Sequence, residues 1–124
     1  MSKPEILYWS STGVTRRVAE EFGGKPLDSY EGGDFILVLP TYGAPGNRTH
    51  APASVKRLLS EHSENLVGVI GVGNTNFGPD FCALAKYISR EYRVELITCV
   101  DLFLTQDNYD DIQCFLRGCP CFFY

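Results

Sequence analysis

The opening segment MSKPEILYWSS has one lysine and no apolar run of the length that a signal peptide or a membrane span requires, so the expectation is a soluble protein that stays in the cytoplasm. Basic charge is also scarce: 11 Lys and Arg stand against 15 Asp and Glu, for a net charge of -4. No basic stripe is present to neutralise a phosphate backbone, which argues against nucleic acid as the main partner. The five cysteines are an odd number and follow no framework spacing, so they are read as thiols, not as a set of disulfides. Histidine occurs twice, at His50 and His62, and no Cys or His upstream of Cys119 and Cys121 completes a zinc set, so no metal site is expected. Internal repeats, heptads, low-complexity tracts and linker composition are missing too. What remains is a chain of 124 residues, 44% of them apolar, which is enough for one packed core and one domain, residues 1–124.

Two periodicities alternate along that chain. Ile6–Trp9, Phe35–Leu39, Leu66–Val72 and Val94–Leu102 are short, apolar and rich in β-branched residues, as strands buried on both faces of a parallel sheet are. Between them lie helical spacings: Val14, Val18 and Phe22; Val55, Leu58 and Leu59; Phe81, Leu84, Ala85 and Ile88. Pro52 and Pro79 suit first helical turns, and Asp107 or Asn108 suits the cap of a last helix carrying Tyr109, Ile112 and Leu116 on one side. Strand and helix therefore alternate, which predicts an α/β domain with helices on both faces of a mostly parallel sheet. Residues 23–34 depart from the rule. Lys25 to Tyr30 allows a short second strand, but Tyr30-Glu31-Gly32-Gly33-Asp34 is too short for a crossover helix, and one helix is expected to be missing there.

Open α/β sheets bind ligands beyond the carboxyl ends of their strands, where strand order reverses. The segments at those ends are Ser10 to Thr15, Thr41 to Ala51, Gly73 to Gly78 and Phe103 to Asn108. In the first, SSTGVT, hydroxyls of Ser10, Thr12 and Thr15 flank Gly13 at a helix start, where unpaired N–H groups and the helix dipole favour a phosphate monoester. The lysine of a G-x-x-x-x-G-K-[ST] loop is missing, which excludes that nucleotide site. An ordinary Ser or Thr N-cap accounts for the hexapeptide alone equally well. The second segment, Thr41-Tyr42-Gly43-Ala44-Pro45-Gly46, follows the most apolar strand, and the third, Gly73-Asn74-Thr75-Asn76-Phe77-Gly78, repeats its combination of glycines with one aromatic. A phosphate grip on one loop and aromatics on two others suit a phosphorylated flat ring.

The pattern Ser10-x-Thr12-Gly13-x-Thr15 after a first strand resembles the phosphate loop of flavodoxin-like proteins. Together with Thr41-Tyr42-Gly43, Leu66 to Ile70, the GNTNFG loop and Val100-Asp101-Leu102-Phe103-Leu104-Thr105, it resembles the NrdI family, small FMN proteins that activate class Ib ribonucleotide reductase. The resemblance implies a flavodoxin-like three-layer sandwich, with a parallel five-stranded sheet in the order 2-1-3-4-5, shortened between strands 2 and 3. It implies noncovalent FMN with its phosphate on Ser10, Ser11, Thr12, Gly13, Val14 and Thr15. The isoalloxazine would then lie between Thr41, Tyr42, Gly43, Ala44, Pro45 and Gly46 on one side and Asn74, Asn76, Phe77 and Gly78 on the other. In this family the reduced flavin reacts with dioxygen, and the superoxide-level oxidant serves to assemble the dimanganese-tyrosyl radical cofactor of the reductase small subunit. The implied partners are that subunit, dioxygen and an electron-donating reductase, and the protein is an accessory activator with no catalytic side chain of its own.

Three positions depart from the family pattern: Val14 stands where asparagine is usual, Thr75 where arginine is usual, and Leu104 where glycine is usual. The other readings to weigh are a low-potential electron-transfer flavodoxin and a flavin-free module that keeps the fold as a binding surface. Arg48, with almost no carboxylate near Tyr42 or Phe77, separates this chain from strongly acidic electron carriers. A glycine at 43 lets the peptide reverse its carbonyl and N–H as a flavin changes redox state, which a Cβ resists. Gly43→Val is therefore expected to shift the flavin potentials, measured by spectroelectrochemistry; unchanged potentials with FMN still bound would refute it.

Overall fold

A computed structural model describes residues 4–10, 13–40, 51–73, 82–101 and 103–118. Five strands form one sheet in the order β2-β1-β3-β4-β5, with every adjacent pair parallel. They are β1 (Glu5–Tyr8), β2 (Lys25–Pro26), β3 (Phe35–Pro40), β4 (Leu66–Gly73) and β5 (Glu95–Asp101). Four helices join or follow them: α1 (Gly13–Glu20), α2 (Ala53–His62), α3 (Ala83–Tyr92) and α4 (Gln106–Leu116). The expected order 2-1-3-4-5 is what the chain adopts, with strand limits within one residue of those read from the apolar runs wherever the residues are described.

The sequence of β3, FILVLP, explains why it sits at the centre. Phe35, Leu37 and Leu39 share one apolar cluster with Val55, Leu58 and Leu59 of α2 and Leu84, Ala85 and Ile88 of α3. Ile36 and Val38 turn the other way, to Val18 and Ala19 of α1 and Ile112 of α4. These five of the six β3 side chains are fully buried. At about 1.5–3 kcal/mol for each large apolar side chain removed from water, no other strand can gain as much by moving inward. The helices therefore divide two and two across the sheet. Right-handed crossovers require this division: α1 leads leftward from β1 to β2, whereas α2 and α3 lead rightward, so they lie on opposite faces.

No α-helix joins β2 to β3, as expected; Leu27–Ser29 make one 3-10 turn instead. Leu27 and Tyr30 fill the gap, and the Tyr30 ring packs edge-on against Phe35 and His62, each at a centroid distance of 5.0 Å. Its hydroxyl donates to the Gly33 carbonyl at 2.7 Å and accepts from Asn65 Nδ2 at 3.0 Å. His62 ends α2 and lies half-buried against that ring. Pro52 is the N-cap of α2, one residue before the first turn; Pro79 and Phe81 lie outside the described residues.

The start of α4 corrects a second expectation. The cap is Thr105, and Asn108 occupies the third helical position, where it closes a capping box. Asn108 Oδ1 accepts from the Thr105 amide at 3.1 Å and from its hydroxyl at 2.8 Å, while its own amide donates to Thr105 Oγ1 at 3.2 Å. Asn108 Nδ2 donates to Thr98 Oγ1 at 2.8 Å and to the Cys99 carbonyl at 3.1 Å. A sequence scan favours Asn at a cap, but here its amide reaches the sheet because a buried Thr98 needs a donor.

Close packing on β4 leaves no room for two Cβ atoms. One built on Gly71 would lie 2.9 Å from both Ala85 Cβ and Cys82 Sγ, atoms held by the first turn of α3. On Gly68 it would meet Ile97 Cδ1 at 2.8 Å, the free end of a flexible side chain. Gly71→Ala is expected to destabilise the fold by about 2 kcal/mol and Gly68→Ala by less than about 1 kcal/mol, read as urea midpoints at constant m-value. Equal losses would contradict this account of the helix-to-sheet contact.

Candidate functional site

Strand order reverses between β1 and β3, whose crossovers leave in opposite directions, and open α/β sheets bind ligands at such a point. From β1 come Trp9 and Ser10, then α1 at Gly13. From β3 comes the segment 41–50 and from β4 the segment 74–81; both lie outside the described residues. Of the expected binding residues, Ser11, Thr12, Thr41, Tyr42, Gly43, Ala44, Pro45, Gly46, Asn74, Asn76, Phe77 and Gly78 fall there, whereas Ser10, Gly13, Val14 and Thr15 are described.

Those four form the beginning of the α1 turn. Gly13, Val14 and Thr15 are its first three residues, so their N–H groups precede any intrahelical acceptor. Ser10 is half-buried at the end of β1, and Gly13 is exposed. Val14 directs its side chain into the apolar cluster under α1, so only its amide is left to meet a ligand. Thr15 is the unusual member: it is fully buried, and among the described residues its hydroxyl has no hydrogen-bond partner. Leaving a buried hydroxyl unpaired costs about 1–3 kcal/mol, which folding alone gives no reason to retain when valine has nearly the same shape.

Electrostatics point the same way. Acidic residues, which commonly offset the positive end of a helix dipole, do not occur in the first turn of α1. Arg17 Nε donates to the Gly13 carbonyl at 3.3 Å, which brings a guanidinium to that turn, while Arg16 is occupied by Glu20 at 3.0 Å. The combination of N–H groups, an unpaired hydroxyl and a nearby cation suits a phosphate monoester.

The residues after β5 belong to this edge as well. The Phe103 amide turns back to the Asp101 carbonyl at 2.6 Å, and Phe103 is 76% exposed, beside Val14, Arg17, Val18, Glu21 and Leu104 around a groove of about 180 Å³. Sequence reasoning counted Phe103 to Asn108 among the segments at this edge but assigned no binding role to Phe103, Trp9 or Arg17. The signal was available for Phe103, an aromatic directly beyond the carboxyl end of a strand. Trp9 read as the end of the strand itself, yet it packs against the α2 and α3 cluster just past β1. A second cleft, of about 430 Å³, is lined by Glu5, Glu21, Phe22, Lys25 and Gln113 among others at the amino end of β1, remote from the reversal point. Among the described residues no group of His, Cys, Asp or Glu could hold a metal ion, and no helix is long and apolar enough to cross a membrane.

A five-stranded parallel sheet of this order, with its helix-start cradle at the reversal point, defines a flavodoxin-like protein. A solved short-chain flavodoxin, associated with a non-canonical PDU bacterial microcompartment, superposes with a TM-score of 0.67 over 95% of this chain and 96% of its own; at 14% identity that likeness is one of fold. Residues 6–114 match the model of the NrdI flavodoxin-like family, and the chain belongs to that family. It is 32% identical to Protein NrdI of Mycoplasma genitalium, over 91% of this chain and 82% of that one. Protein NrdI of Bifidobacterium animalis subsp. lactis is 36% identical over 78% of this chain and 69% of its own. For that of Brucella ovis the figures are 31%, 87% and 88%.

The unpaired Thr15 hydroxyl separates a structural role from a binding one. Thr15→Val is expected to leave unfolding stability unchanged or to raise it by about 1 kcal/mol, while weakening FMN affinity about tenfold, as measured by denaturant titration and fluorescence titration with FMN. A variant that loses stability but binds FMN as before would show the hydroxyl to be structural.

Proposed function

We propose that residues 1–124 form one FMN-binding domain that acts as an accessory activator of class Ib ribonucleotide reductase. When bound and reduced, FMN would react with dioxygen to supply the superoxide-level oxidant from which the small subunit assembles its dimanganese-tyrosyl radical cofactor. The observation that carries this reading is the fully buried Thr15 hydroxyl, without a partner among the described residues, on the first turn of α1 at the reversal point of the sheet. It supplies a donor for one phosphate oxygen, beside the amides of Gly13 and Val14 and with Ser10, Ser11 and Thr12 preceding them.

The protein's part is to hold and shield the group that reacts. Amides at the α1 start orient the phosphate and thereby fix where the ribityl chain leaves the cradle. Tyr42 to Gly46 and Asn74 to Gly78 follow β3 and β4 and are assigned to the two sides of the ring, with Thr41 at the exit of β3. Trp9 and Phe103 border the same edge on either side of β1 and α1. The small subunit, an electron-donating reductase and a cytoplasmic location complete the proposal. Membership of the NrdI family supports them.

Two measurements in sequence test it. Purified protein is expected to show flavin absorption bands, either as isolated or after addition of FMN; a colourless protein that ignores FMN would remove every flavin-based reading. The reduced holoprotein, mixed with oxygen and the manganese-loaded cognate small subunit, is then expected to generate a tyrosyl radical signal in electron paramagnetic resonance. Flavin without that signal would leave an electron carrier and end the activator reading.

A further inference from the structure

Cys82 and Cys99 meet across the junction of α3 and β5. Cys82 precedes α3 in a left-handed conformation, with φ 56°, and is fully buried against the sheet. Its Cβ would lie 3.0 Å from a Cβ built on Gly71 and its Sγ 2.9 Å from that position, so the thiol sits directly over Gly71 on the α3 face. Cys99 is the residue paired with Gly71 in the parallel ladder between β4 and β5, and directly paired residues project to the same face. Adjacent strands are about 4.8 Å apart, so Cys99 and the Cys82 thiol over Gly71 are neighbours on the same face of the sheet. Each thiol shifts the protonation of the other, Cys99 downward and Cys82 upward.

A bulge brings them together. Leu96 pairs with Val69 but Thr98 pairs with Ile70, so Ile97 is the extra residue of β5. Ile97 then faces the α1 and α4 cluster, and Cys99 turns toward α3, the face that strict alternation from Leu96 would have denied it.

The chemistry of the pair is asymmetric. Cys82 is fully buried, whereas Cys99 is half-buried on the strand at the sheet edge, so a small oxidant meets Cys99 first. The Cys82 thiol lowers the pKa of Cys99 to about 7, with Lys86 one turn into α3 acting in the same direction. The neighbouring Cys99 and burial push the Cys82 thiol up, and Asp101 adds to this. One member is thus the nucleophile and the other keeps its proton until it is needed.

We propose that Cys82 and Cys99 are a redox-active dithiol that hydrogen peroxide converts into an intramolecular disulfide joining the start of α3 to β5. The Cys99 thiolate attacks one peroxide oxygen; the S–O bond forms, the O–O bond breaks, and the departing hydroxide takes up the proton that Cys99 released. Cys82 sulfur then attacks the sulfenic sulfur of Cys99; the S–S bond forms, the S–O bond breaks, and hydroxide leaves with the Cys82 proton as a second water. Two thiols lose two electrons, and one peroxide becomes two waters. The inference stands apart from the flavin reading, because it uses no residue of the phosphate cradle.

Peptide mapping tests it on the full chain. Trypsin cuts after Lys86, Arg90 and Arg93, so the two cysteines fall in separate peptides, 58–86 and 94–117, but Cys99 shares its peptide with Cys114. A Cys114→Ser background removes that ambiguity. After stoichiometric peroxide and alkylation, the two peptides are expected to run joined without reductant and apart with it. Over-oxidation of Cys99 with Cys82 still alkylated, or linkage only to Cys119 or Cys121, would overturn the proposal. In unoxidised protein, Cys82→Ala is expected to slow alkylation of Cys99 at neutral pH about threefold, since a larger thiolate fraction outweighs its lower nucleophilicity. An unchanged rate would show that Cys82 does not activate Cys99, and would also count against it.

Discussion

Burial of β3 on both faces is the constraint on which the rest of the structure depends. Its alternating side chains enter two separate apolar clusters, so helices must cover both sides of the sheet, and only crossovers leaving in opposite directions can supply them. That requirement places β1 beside β3 and sets the reversal of strand order between them. The functional edge follows from it: α1 starts at the reversal point because β1 ends there, and the segments after β3 and β4 have nowhere else to emerge.

Against this tightly packed frame, the polar features that packing does not explain are informative. Asn108 is buried but uses its whole amide, tying α4 to β5 and to its own cap. Thr15 is just as deep, and its hydroxyl meets no partner among the described residues. One polar group serves the fold; the other is the one that the proposed function draws on. The Cys82 and Cys99 thiols form a third case, in which two weakly polar groups share one face of the sheet beside Gly71.

Much of this was legible in residue order. Phe35 to Leu39 marked a strand buried on both faces, and Val55, Leu58, Leu59, Leu84, Ala85 and Ile88 marked helix faces that do meet in one cluster. The glycine pair before Asp34 showed that a helix would not fit. Other features were not legible, for identifiable reasons. Tyr30 replaces the missing helix through contacts with Phe35, His62 and Asn65, all distant in sequence. Thr105 takes the cap that Asp107 or Asn108 was expected to hold, because Asn108 is drawn toward Thr98.

Taken alone, the order of residues determined the alternation of strand and helix, the hydroxyl-rich turn after β1 and the family to which the chain belongs. Each is a local property, carried by periodicity, turn chemistry or a contiguous motif. Tertiary structure decided that the Thr15 hydroxyl would be buried with no partner among the described residues, that Phe103 would stand beside α1, and that one extra residue at Ile97 would turn Cys99 toward Cys82. The reason is geometric: register and helix placement depend on how distant segments pack, and a one-residue bulge exchanges the two faces of a strand without altering the composition a reader sees.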